Sequence, residues 1–231
     1  MSMPYYVAPE QAMKDRADFA RKGIARGRGL VAMRYIDGVV MVAENASQSL
    51  RKVSEIYDRI AFAGVGKYNE FDQLRVAGIR AAELTGYQYS RDDVDARSLA
   101  NDYAQLLGNS FTHGMKPMEV EILVAEVSLA GENDQIFHIM YDGTVIDHRD
   151  GCALGGDSDA VTARLRDGFT EGLTLDDAVR LGAQVLGGER VIPADELEVA
   201  VLERGNGRRC FRRIDMPSDV VASTESSEHE A

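Results

Sequence analysis

RGRGLVAMRYIDGVVMVAEN, residues 26–45, is the stretch whose reading decides the fold. Residues 30–36 and 39–44 are rich in β-branched and apolar side chains, and Asp37-Gly38 joins them; that dipeptide tolerates the positive φ angles of a tight hairpin. A hairpin means an antiparallel sheet. Val31, Met33 and Tyr35 fall on one face of the first strand and Leu30, Ala32 and Ile36 on the other, so both faces are apolar and the sheet is covered on both sides. Upstream, residues 1–8 carry no period and read as a flexible lead-in. Pro9, with Glu10 behind it, suits a first helical position. Met13, Ala17, Ala20 and Ile24 make one stripe of a short amphipathic helix, with Gly23 and Gly27 ending the pattern.

Downstream, a third strand is expected over residues 54–63, broken by Gly64 and Gly66. A helix over residues 67–85 follows, with Phe71, Leu74, Gly78 and Ala81 on one face and Gly86 as its stop. The next helix starts at residues 90–93, faces Leu99, Tyr103, Leu106 and Ser110 inward, and closes at Gly114. Strands return in VEILVAEVSL and in IFHIMYDGTVIDH, where Asp142-Gly143 repeats the turn signal and places His138 opposite Asp147. A helix from Asp157 or Ser158 to Arg166 comes next, then one capped by Thr174 and Asp177 and ending at Gly187-Gly188. LEVAVLER is the last strand. Helices arrive in adjacent pairs, so single βαβ crossovers do not organise the chain. Two stacked sheets, each with a helix pair outside, satisfy that order.

With 231 residues and 45% apolar content, the chain suits one domain with a real core. The net charge of −12 argues against nucleic acid or an anionic membrane as a general partner. Seven basic residues (Lys14, Arg16, Arg21, Lys22, Arg26, Arg28, Arg34) against Asp15 and Asp18 nevertheless crowd one segment, and that basic face needs an explanation. Cys152 and Cys210 lack metal or disulfide spacing. With no leader and no apolar run of membrane length, a cytoplasmic location is expected. Residues 216–231, rich in Ser and Glu, read as a disordered acidic tail.

Chemical motifs are sparse. Gly27-Arg28-Gly29 with Ala32 fits GxGxxA nominally, but it follows a helix and opens a strand, the reverse of a dinucleotide fingerprint. GGDSDA, residues 155–160, lacks the second glycine of a nucleophile elbow and reads as a helix cap. The His138 and His148 region reads as a cross-strand pair rather than a metal site. Lys52, just before a strand, reads in isolation as a solvated charge.

Taken together, SLRKVSEIYDRIAFAGVGKYNEFDQLR (residues 49–75), DFARKGIARGR, VEILVAEV, YDGTVID and LEVAVLER resemble the α subunits of the 20S proteasome, in particular the bacterial branch. The resemblance spans residues 5–213. It implies an α+β fold, the four-layer α-β-β-α sandwich of N-terminal-nucleophile hydrolases, as one domain over residues 9–215. Catalytic relatives begin their first strand with a threonine whose hydroxyl attacks the peptide carbonyl. Here Arg28 and Gly29 occupy that place, Glu44 stands where an acidic catalytic partner would lie, and no Ser, Thr or Cys occurs between Ser2 and Ser47. The resemblance therefore implies a subunit with no catalytic residue, no metal and no cofactor.

By the same resemblance, seven copies form an outer ring on β subunits, as α7β7β7α7. Residues 1–8, extended to Pro9, gate the pore through Met3, Pro4, Tyr5, Tyr6, Val7, Ala8 and Pro9. A pocket between subunits binds the C-terminal carboxylate of a regulatory AAA ATPase, through Lys52, Gly27 and Asp18. The substrates are unfolded or tagged proteins. The rival expectation is a self-processed N-terminal-nucleophile amidohydrolase.

Overall fold

The computed structural model describes residues 8–47, 49–129 and 134–215. Ten strands form two five-stranded sheets that stack face to face. The first has the order β10-β9-β2-β1-β8 and the second β3-β4-β5-β6-β7, and every pairing is antiparallel. In chain order, α1 is Pro9–Ile24, β1 Leu30–Tyr35, β2 Gly38–Glu44, β3 Val53–Tyr57, β4 Ile60–Gly66, α2 Tyr68–Gln88 and α3 Ala96–His113. The second half gives β5 Val120–Glu126, β6 Gln135–Ile139, β7 Val145–His148, β8 Gly151–Leu154, α4 Ser158–Gly168, α5 Leu175–Gly187, β9 Leu197–Glu203 and β10 Phe211–Ile214.

Alternation along the strands builds three apolar layers. Leu30, Ala32, Met41, Ala63, Leu123 and Ala200 meet between the sheets. Phe62, Ile122, Val124 and Ile139 face the other way, under Phe71, Leu74, Tyr103 and Leu107 of α2 and α3. Val31, Met33, Val40 and Val42 pack under α4 and α5. This is the four-layer α-β-β-α sandwich that the paired helices implied. Both cysteines are buried and free, and burial raises each thiol's pKa. No helix among the described residues is long and apolar enough to cross a membrane.

Several local expectations are corrected. The single strand over residues 54–63 is two, β3 and β4, folded back at Asp58-Arg59. That turn has no glycine and needs no positive φ, so its sequence carried no hairpin signal. β10 is likewise an edge strand of four residues, too short for a visible alternation. Gly64 and Gly86 do not interrupt their elements, whereas α1 ends at Ile24 beside Gly23 and β4 ends at Gly66. A Cβ at Gly23 would strike the side chain of Glu119, and one at Gly86 the hydroxyl of Tyr57, so these glycines permit close packing. On α3, Leu107 is fully buried and Leu106 half exposed, reversing the expected choice.

Both Asp-Gly turns exist, each shifted by a residue. Gly38 is the first residue of β2, paired with Tyr35, and the turn centre is Ile36-Asp37. Beyond β6, the loop spans residues 141–143 with Gly143 at φ 87°, the three-residue turn with a left-handed glycine. The extra residue moves the register by one, so His138 pairs with Ile146, and Asp147 with Phe137. His138 instead lies 3.4 Å from Glu121 and stacks on His148.

Part of the basic crowding around α1 is taken up within the chain. Arg16 donates to the carbonyls of Ser110, Phe111 and Gly114, capping the C-terminus of α3. Arg21 pairs with Asp18, and Arg34 with Asp134.

Candidate functional site

Three segments converge at one end of the sandwich. The joint between α1 and β1 carries Gly27, Arg28 and Gly29; Lys52 sits just before β3; and the turn before β9 brings Glu196, with Glu198 at the start of that strand. Gly27 lies so close to β4 that a Cβ there would stand 2.8 Å from Val65 Cγ1 and 3.1 Å from the Gly66 amide nitrogen. Only glycine lets the joint run this near the second sheet.

Lys52 is half-buried, and its Nζ donates to the Arg28 carbonyl at 2.5 Å. Its backbone is fixed by Glu198, a carboxylate buried in the sandwich. Glu198 accepts from the N–H groups of Lys52 at 2.9 Å and Val53 at 3.2 Å, from Asn45 Nδ2 at 2.7 Å, and from Arg213 at 2.8 Å. Burial draws the Lys52 ammonium down to about 8, opposed by the attraction of Glu44 and Glu198 and aided by the repulsion of Arg28.

Glu44, at the end of β2, is also buried and is held through both oxygens. Arg190 grips it in a fork, Nη1 to Oε1 and Nη2 to Oε2, both at 2.8 Å, and Arg28 closes on Oε1. The Arg190 hydrogen bonds, and then those of Arg28, hold the Glu44 carboxyl below its ordinary pKa against the opposing effect of burial. Arg28 also reaches Glu196 at 3.3 Å. Gly27, Gly29, Glu44, Gly156, Arg164 and Arg190 line a cavity of about 520 Å³ beside this network. Arg190 is placed by the end of α5, where Gly188 takes φ 63° and the Arg190 N–H donates to the Gly187 carbonyl.

Of the residues expected at a tail-binding pocket, Gly27 and Lys52 meet through the residue between them, Arg28. Asp18 lies on α1 in an ion pair with Arg21 at 3.6 Å, and no hydrogen bond or ion pair among the described residues joins it to the other two. Ala8 and Pro9 open α1, while Met3, Pro4, Tyr5, Tyr6 and Val7 lie outside the described residues. Arg190 was not among the expected residues. Its signal was a single arginine two residues after Gly187-Gly188, and nothing local ties that position to Glu44, 146 residues away.

Where a nucleophile would begin β1, Arg28 and Gly29 stand. The hydroxyl-bearing Ser158 in the cavity wall opens α4, its N–H bonded to the Gly155 carbonyl. No cluster of three or more His, Cys, Asp or Glu side chains among the described residues is arranged to hold a metal.

Comparison with known proteins follows the same lines. A family model described as Proteasome subunit matches residues 24–201. The proteasome subunit alpha of Acidimicrobium ferrooxidans is 60% identical over 217 residues, 94% of each chain. That of Kineococcus radiotolerans is 55% identical over 227 residues, covering 94% of this chain and 96% of its own. That of Thermobifida fusca is 53% identical over 218 residues, with 93% and 88% covered.

Proposed function

Because the chain belongs to the proteasome subunit family, as an α subunit of the bacterial type, we propose that it is a non-catalytic component of the outer ring of the core particle. In this reading it gates entry to the proteolytic chamber and docks a regulatory AAA ATPase. Threonine-type active sites belong to β subunits stacked beneath it as α7β7β7α7. Unfolded or tagged proteins are the cargo, and the particle works in the cytoplasm.

One observation carries the docking reading: Lys52 presents a half-buried ammonium whose recorded acceptor is a backbone carbonyl, with no ion pair among the described residues. An ammonium has three donors, and a terminal carboxylate arriving in a partly desolvated cleft forms a charge-assisted bond with it. Gly27 next to it leaves room for an extended tail to approach the backbone. Asp18 and Pro9 belong to the same proposal, at the rim and at the base of the gate.

Replacing Lys52 by alanine tests it. Particles co-assembled with β subunits are expected to keep their four-ring form by electron microscopy and their basal peptide hydrolysis, while stimulation by the ATPase is lost. Full stimulation of Lys52→Ala particles would remove Lys52 from the docking site.

A further inference from the structure

We propose that Arg190 is a positioning residue that reserves Lys52 for a carboxylate supplied by another chain, an inference that rests on the docking reading above. Two acids, Glu44 and Glu198, lie near enough to act on the Lys52 ammonium. In a half-buried place a lysine beside two carboxylates ordinarily closes an ion pair with one of them. Neither pair forms.

The reason is visible atom by atom. Both oxygens of Glu198 are occupied: Oε1 by the Val53 N–H and Arg213, Oε2 by Asn45 and the Lys52 N–H. Both oxygens of Glu44 are held by the Arg190 fork, and Arg28 adds to Oε1. The two acids differ in how they are secured. Glu198 is tied by two backbone N–H groups and by the side chains of Asn45 and Arg213. Glu44 Oε2 has one recorded partner, Arg190, whose side chain is half exposed on the segment after α5.

Without Arg190, the buried Glu44 carboxylate keeps one of its three hydrogen bonds, that of Arg28 to Oε1, and Oε2 is left without its donor and open to another cation. Lys52 is the neighbouring ammonium. An internal Glu44–Lys52 pair would then compete with any incoming terminal carboxylate, and the docking lysine would be present but taken. Negative charge at Glu44 is thus compatible with docking only while Arg190 holds it away from Lys52.

Assembled particles carrying full-length chains provide the test. The probe is an array of octapeptides anchored by their N-termini with free C-terminal carboxylates, beside the same array amidated. Unsubstituted particles should bind the carboxylate array alone. Arg190→Ala is expected to weaken that binding about tenfold or more, and Glu44→Gln combined with Arg190→Ala to restore most of it, because the competing charge is gone. Rescue by the double variant, with the melting temperature of Arg190→Ala particles unchanged from the unsubstituted ones, separates competition by Glu44 from a structural loss at Arg190. If Lys52→Ala abolishes binding while Arg190→Ala binds as the unsubstituted particle does, the inference fails and the docking reading stands. If Arg190→Ala weakens binding and the double variant does not recover it, the reserving role is likewise overturned. Undiminished binding by Lys52→Ala overturns the docking reading itself.

Discussion

At the scale of single residues, the pH response of Lys52 follows from its surroundings. Its pKa falls from 10.5 to about 8 on burial beside Glu44, Glu198 and Arg28. A lysine depressed in the folded state costs stability wherever it is charged in both states, that is below about 8, and the cost fades as pH climbs from there toward 10.5. Carboxylate capture runs the opposite way, since it needs the ammonium. Affinity for carboxylate-ended peptides should drop about tenfold between pH 7 and pH 9, measured by fluorescence anisotropy. A lysine with an ordinary pKa would leave affinity flat across that interval, and a flat curve would refute this one.

At the scale of elements, α1 is joined to the body through Arg16 as well as through its apolar stripe of Ala20 and Ile24. Arg16→Ala removes donors from three carbonyls at the end of α3. The expected loss is about 1–3 kcal/mol, and amide hydrogen exchange should quicken in α1 and the last turn of α3 while the sheets stay protected. The element order was largely legible in the sequence, because hairpins and helix pairs are written in periods of two and of nearly four. What escaped was local geometry lacking a local signature. The Asp58-Arg59 turn uses no glycine, and one bulge residue at Gly143 reversed which cross-strand partner His138 meets. In the site, Lys52 and Gly27 were reached through family resemblance. Glu44 was reached only as the place of an acidic catalytic partner, and Glu198 and Arg190 were not reached at all, since charge partners 146 residues apart leave no mark on spacing.

At the scale of the whole molecule, two sheets and four covering helices leave α1 as the added element that leads into residues 1–8. In the proposed ring these residues obstruct the pore, and ATPase tails favour the open state only if they bind it better than the closed one. Deleting residues 1–8 should therefore raise peptide hydrolysis by assembled particles with no ATPase present, to the level an activator achieves. Equal rates for the deleted and full-length particles would exclude a gating role. The sandwich has one further practical consequence. The sequence holds only two thiols, and both are sealed between the sheets with raised pKa values. To a maleimide dye the native fold is blank, so a single cysteine introduced on α1 or near residue 190 would be the sole attachment point. Distance changes between neighbouring subunits could then be followed optically without first stripping the protein of its own cysteines.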